Sequence, residues 1–347
     1  MVALSAIQTS SSKLISFSPN MAFPERGGEI VRTFNGVDPK IPFDEVIASW
    51  NVQSADAASI TVELRAHGNS FDTNWYTMAQ WSLDGKAAPR NSVKGQRDER
   101  AKVDTDTLVL AQPATSVDMR VTLHSPADGP VPMLKLLTLS FASTPTAYSQ
   151  ETTNPAWGKV IAVPERAQGN YPGGADKWCS PTSLSMVLWH WSNVLNRPEL
   201  NRDVPEVQQH VYDPVYDGAG NWPFNTAYAG SFTGLRAYVT RMTGMEDLER
   251  WIDKGMPVIC SVAYSVTQGK PLSPTESGHL MVLVGFSESG DPIFNDPAHK
   301  DQVRKTFKRA DFERGWDHSR RTAYLVYPEG ASVPDDPNGV WAEKYPQ

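Results

Sequence analysis

Two hydrophobic periods divide the chain. Up to about residue 145 apolar and polar positions alternate, as in half-buried strands. "EVIASWNV" sets Val46, Ala48, Trp50 and Val52 on one face, and "SITVELRA" does the same with Ile60, Val62 and Leu64. In "SVDMRVTLHS" the inward set is Val117, Met119, Val121 and Leu123, and the outward set is Asp118, Arg120, Thr122 and His124. "MLKLLTLSF" closes the series, and the polar "QRDERAKVD" predicts a loop leading into a strand. Turn residues separate these segments and no convincing helical stretch interrupts them, which predicts an all-β antiparallel sandwich.

The period then changes. "ASTPTAYSQETTNPAWGK" is rich in Ser, Thr and Pro, lacks periodicity and reads as a linker. Beyond it, Leu184, Val187, Leu188 and Trp191 fall at helical spacing and predict an amphipathic helix. "MEDLERWIDKG" predicts a second helix, stopped by Gly255. "PVICSVAYS", "HLMVLVGF", "DPIFNDP" and "TAYLVYP" read as strands, with "SESG" as a turn. The expected organisation is a sandwich accessory domain over 1–145, a linker over 146–160 and an α+β domain over 161–347.

Composition narrows the class. The chain has 347 residues, 40% hydrophobic and 20% charged, as a globular protein has. A net charge of −7 offers no basic field for nucleic acid or an anionic membrane. No apolar run is long enough to span a bilayer. "MVALSAIQTSSSKLISFSPN" has neither the basic start nor the apolar core of a signal peptide, so the chain is expected to be cytoplasmic, or secreted with its signal trimmed. Two cysteines, at positions 179 and 260, make a disulfide framework unexpected. No metal-binding, P-loop or dinucleotide motif appears, so no cofactor or metal is expected.

Candidate chemistry centres on "DKWCSPTSLSMVLWHW". Pro181 is tolerated only in a first helical turn, so it sets the helix start beside Cys179. Free N–H groups and the helix dipole there favour a thiolate, and Ser180 or Thr182 could cap the end. A thiolate nucleophile needs a base and a group to orient it. His67 and His124 lie in the β region, and His190 is three turns away on the same helix. His210, His299 and His318 have no special setting. His279 stands out because it opens the strand "HLMVLVGF". A hairpin folded about Glu288 sets His279 opposite Pro297, one residue from Asp296. A slip of a residue or two brings Asn295 into range instead. Cysteine on a helix tip, histidine on a strand and aspartate across a hairpin, in that order, is the arrangement of papain-fold cysteine hydrolases. Cys260 reads as a buried strand residue.

The blocks "AQGNYPGGADKWCSPTSLSMVLWHW", "DGAGNWPFNTAYAG", "SGHLMVLVGF" and "GDPIFNDPA" resemble those of the bacteriocin-processing-peptidase-like cysteine peptidases, most closely the stand-alone bacterial members. The resemblance runs from about Val163 to Pro328. It implies a papain-like fold, Cys179 as nucleophile, His279 as base, Asp296 as its orienting group, and a glutamine amide in the oxyanion hole. The transporter-linked members place that glutamine six residues before the cysteine, where this chain has Gly173; the available residue is Gln168. Trp178, Trp222, Phe224 and Tyr228 are candidates to line a substrate cleft. "NWYTMAQWS" could present Trp75 or Trp81 to a cell-wall glycan, although aromatics at period two more often form core. The expected function is a cysteine peptidase or amidase acting on a peptide or amide substrate. The alternatives are an acyl or peptidyl transferase on the same fold, or a non-catalytic surface-glycan binding protein.

Overall fold

Alternation in the first half builds two antiparallel sheets. The computed structural model describes residues 11–345 except 25, 54–57, 87, 129, 145–154, 176, 275–277 and 343. Ten strands come first: β1 (Ser12–Phe17), β2 (Met21–Ala22), β3 (Glu29–Val37), β4 (Phe43–Gln53), β5 (Ser59–His67), β6 (Tyr76–Ser82), β7 (Ala101–Asp104), β8 (Thr107–Ala114), β9 (Ser116–His124) and β10 (Met133–Ala142). One sheet runs β1-β10-β4-β8-β7 with β2 beside β10, and the other runs β3-β9-β5-β6. Ile60, Val62, Leu64, Val117, Met119, Val121 and Leu123 are all buried, as their period requires. Trp81 is buried as well, edge-on to Trp50 of the other sheet, whereas half-buried Trp75 lies beneath the guanidinium groups of Arg65 and Arg120.

Two positions depart from the pattern. Asp118, expected outside, is buried, because its carboxylate accepts from Arg65 Nη2 at 2.6 Å and Gly36 N at 2.8 Å and meets His67 Nε2 at 3.0 Å. A short acid on a strand is buried when its partners follow it in. In β4 both faces are buried, Ile47, Ser49 and Asn51 included.

The second half explains that second face. Its elements are α1 (Cys179–Leu195), α2 (Val204–Val211), α3 (Trp222–Ser231), β11 (Leu235–Arg241), α4 (Met245–Asp253), β12 (Val258–Val262), α5 (Tyr264–Thr267), β13 (His279–Phe286), β14 (Pro292–Asn295), β15 (Arg304–Thr306), α6 (Arg309–Asp317) and β16 (Thr322–Pro328). The strands form one antiparallel sheet in the order β11-β16-β12-β13-β14-β15. Strand β11 is an edge, and its unpaired backbone groups would invite another strand. Here side chains of β4 satisfy them. Asn51 Nδ2 donates to Ala237 O at 2.6 Å and Asn51 Oδ1 accepts from Ala237 N at 3.0 Å, while Ser49 Oγ accepts from Val239 N at 3.0 Å. Helix α3 packs on the same face, and Gly230 allows the approach: a Cβ there would lie 2.1 Å from Asn51 Nδ2.

Helix α1 is not amphipathic in place. Most of its residues are buried, serines included, because the sheet lies on one side and α2 and α3 on the other. The block "GNWPFNTAYAG", to which no period assigns an element, forms α3. Asn221 caps it by accepting from Phe224 N at 3.2 Å, and Pro223 occupies its first turn. The chain then returns to the first half, where Leu14 N donates to Gly339 O at 2.8 Å and Lys344 bridges to Ser16. Among the described residues no helix is long and apolar enough to cross a membrane.

Candidate active site

Helix α1 starts at Cys179, with Trp178 as N-cap and Pro181 in the first turn. Neither predicted hydroxyl caps it. Ser180 Oγ lies 3.0 Å from Tyr324 Oη, and Thr182 Oγ1 is buried without a partner. The helix tip therefore keeps free N–H groups beside the sulfur. Ser183 Oγ donates to Leu280 O at 3.0 Å and pins this end of α1 to the start of β13. Burial pushes the Cys179 thiol up. The hydrogen bond to His279, its charge, and the N–H groups of Leu280 and Ser180 outweigh that and hold it below its ordinary value.

His279 is the first residue of β13 and is buried. Val282 pairs with Asn295, and a register shift falls between Leu283 and Gly285. Continued outward, that register sets His279 level with Ala298, one residue from the expected Pro297. His279 Nε2 donates to Asp296 Oδ1 at 2.8 Å, which leaves Nδ1 to face the thiol. Asn295 is not available for this contact: it is fully buried, donates to Val163 O at 3.1 Å and accepts from Arg304 Nε at 3.0 Å. Burial opposes a charge on His279, but the bonds to Asp296 and Cys179 and the charges of both raise it to about 9. Burial likewise pushes Asp296 up, and the His279 bond and charge, the Tyr264 hydroxyl and the Ala298 N–H bring it down to about 2. All three shifts favour the charged forms: thiolate, imidazolium and carboxylate.

Gln168 lies in a short 3-10 turn and is buried. Its backbone N donates to Pro297 O at 2.9 Å, tying the turn to the residue after Asp296. Its Nε2 donates to Ala175 O at 2.7 Å, within the loop leading to Cys179, and keeps a second N–H. Its Oε1 is buried with no hydrogen-bond partner. The glycines of this loop permit the crossing, since a Cβ on Gly174 would sit 2.5 Å from Gln168 O.

A cavity of about 690 Å³ opens at Cys179, lined by Tyr216, Trp222 and Leu280 and, from the N-terminal sheet, by Asp104 to Thr107. The tip of that β7–β8 turn is strained: Thr105 has φ 58°, unfavourable for a β-branched residue. Asp106 steadies it from across the interface by accepting from Trp222 N at 2.8 Å, and burial pushes this carboxyl up to about 6. Of the aromatic candidates Trp222 lines the cavity. Phe224 does not; it is fully buried edge-on to Trp50, as the first turn of α3 faces β4. Tyr228 stacks on His210, and Trp178 lies against Gly174 outside the cavity lining. Cys260 is buried in β12 with its thiol pushed well up by desolvation.

Two residues without a signal in the sequence join the site. Tyr264 Oη donates to Asp296 Oδ2 at 2.6 Å and lies 2.7 Å from His299 Nε2. "PVICSVAYS" reads as one strand, but β12 ends at Val262 and Tyr264 opens α5. Only the fold brings it to Asp296.

A cysteine on a helix tip, beside a histidine and an acid at the strand ends of an α+β sheet, is the arrangement of the class of thiol hydrolases. Family models give the particular assignment: residues 33–142 match the peptidase C39 N-terminal domain and residues 160–324 match the peptidase C39-like family. The chain belongs to the C39-like peptidases, a family of cysteine peptidases. No curated protein matches it. Among solved structures, a Bacillus anthracis protein described as a C39-like peptidase is similar at 20% identity and a TM-score of 0.39, over 49% of this chain and 98% of that one. The infectious bursal disease virus VP2 subviral particle is similar at 11% identity and a TM-score of 0.22, over 40% of this chain and 34% of that one. At these scores neither likeness informs fold or function.

Proposed function

We propose that the chain cleaves an amide bond in a peptide through a Cys179–His279–Asp296 triad and a thioester intermediate. In this reading residues 161–347 form a papain-like α+β peptidase domain, 1–145 a β-sandwich accessory domain and 146–160 the linker. One observation carries it: a buried histidine faces a cysteine on a helix tip, and its Nε2 donates to a fully buried carboxylate at 2.8 Å. The Cys179 thiolate attacks the peptide carbonyl carbon. The resulting oxyanion takes hydrogen bonds from the Cys179 backbone N–H and from the free amide N–H of Gln168. Collapse breaks the C–N bond, and the His279 imidazolium gives its proton to the leaving amine. Water, deprotonated by the now neutral His279, attacks the thioester and releases the acid and the thiolate.

Iodoacetamide labelling tests the nucleophile. Cys179 is expected to react near neutral pH far faster than Cys260, and Cys179→Ala removes the fast labelling. Equally slow labelling of both cysteines overturns the reading. Digestion of a tethered peptide library then identifies the bond cleaved.

A further inference from the structure

A cysteine–histidine–aspartate site needs only one oxygen of its carboxylate, and here Oδ1 serves His279 while accepting from Ala298 N at 3.0 Å. Oδ2 is held separately. The Tyr264 hydroxyl has a single proton, and a carboxylate with its value near 2 can only accept, so that proton points at Asp296 Oδ2, 2.6 Å away. The Tyr264 oxygen must then accept from His299, which fixes the His299 proton on Nε2, 2.7 Å from that hydroxyl. His299 is 43% exposed, so the chain of bonds runs from Cys179 through His279, Asp296 and Tyr264 to solvent. The Tyr264 ring also packs against the His279 ring, centroids 4.3 Å apart and tilted by 44°.

We propose that Tyr264 is a positioning residue of this site: its hydroxyl fixes the plane of Asp296, its ring packs against His279, and His299 fixes the direction of the hydroxyl. The proposal rests on the triad reading above. The charged and titratable groups facing Asp296 and His279 are Cys179 from α1, His299 from the loop after β14, and Lys305 from β15, 4.0 Å from Oδ2. Without the Tyr264 hydroxyl, Oδ2 turns toward Lys305. Oδ1 then leaves the line of His279 Nε2–H, and the imidazolium loses its support.

The test uses the full chain and follows the rate of Cys179 alkylation by iodoacetamide against pH, where the alkaline inflection reports His279 giving up its proton. Tyr264→Phe keeps the ring and is expected to move that inflection to lower pH by about half a unit or more. His299→Ala is expected to move it the same way by less, and His299→Gln, which retains an N–H donor, to restore it. An unmoved inflection in Tyr264→Phe, even with a slower rate, overturns the proposal. If Tyr264→Phe does not fold, the partly exposed His299 pair decides: equal inflections for the Ala and Gln variants overturn it. Wild-type Cys179 labelling no faster than Cys260 would instead remove the triad on which the proposal stands.

Discussion

His279 Nε2 donates to Asp296 Oδ1 at 2.8 Å, and each group helps to keep the other charged at that depth. Asp296→Ala is expected to lower kcat about a hundredfold or more, because His279 loses both its orientation and its counter-charge. Asp296→Asn keeps an acceptor for Nε2–H but no charge. It is expected to retain more activity and to move the alkaline limb of the pH profile toward neutrality. Steady-state kinetics on a cleaved peptide check both.

The pH window follows from the same pair. His279 is raised to about 9, so in the proposed mechanism its imidazolium is retained through neutrality, and cleavage is expected to fall as pH rises through about 9. On the acid side activity falls as the Cys179 thiolate is protonated, below the ordinary thiol range. A folded-state value above the unfolded one stabilises the protein fully below the ordinary imidazole value, and that contribution is lost as pH rises through about 9. Thermal melts of wild type and His279→Gln against pH should converge on the alkaline side.

Gln168→Ala distinguishes an oxyanion-hole amide from a brace for the loop. Loss of one such donor costs about 10²–10³ in kcat. Iodoacetamide alkylation forms no oxyanion, so the Cys179 labelling rate is expected to change far less than kcat. Equal losses in both would assign Gln168 to the loop alone.

The two sheets meet through Asn51, which bonds Ala237 N and O in place of a neighbouring strand. Asn51→Leu leaves both groups of an edge strand buried and unpaired, at a cost of about 1–3 kcal/mol each. Urea denaturation is expected to show a lower midpoint, and concentration-dependent light scattering an edge now open to pairing.

Trp222 and Phe224 are two residues apart and should behave oppositely. Trp222→Ala alters the cavity wall and is expected to raise KM with little change in stability. Phe224→Ala empties a buried site against Trp50 and is expected to cost about 3–5 kcal/mol of stability, read from the same denaturation curves.

Local chemistry determined much of this protein. A proline that only a first helical turn accepts placed the start of α1 at Cys179. Period two marked Val117, Met119, Val121 and Leu123 as core, and the length of the "SESG" hairpin brought His279 to within a residue of its observed partner. Those features depend on near neighbours in the chain, and their physics is present in short segments. The tertiary structure decided what depends on distant ones. It buried Asp118 because Arg65 and Gly36 reach it, and it turned "NWPFNTAYAG" into a helix packed on β4. It spent Asn295 on Val163, leaving Asp296 for His279, and brought Tyr264, His299 and the Thr105–Asp106 turn to the site. No period or motif marks the roles of Tyr264, His299 and that turn, because they arise only when separate elements close around the site.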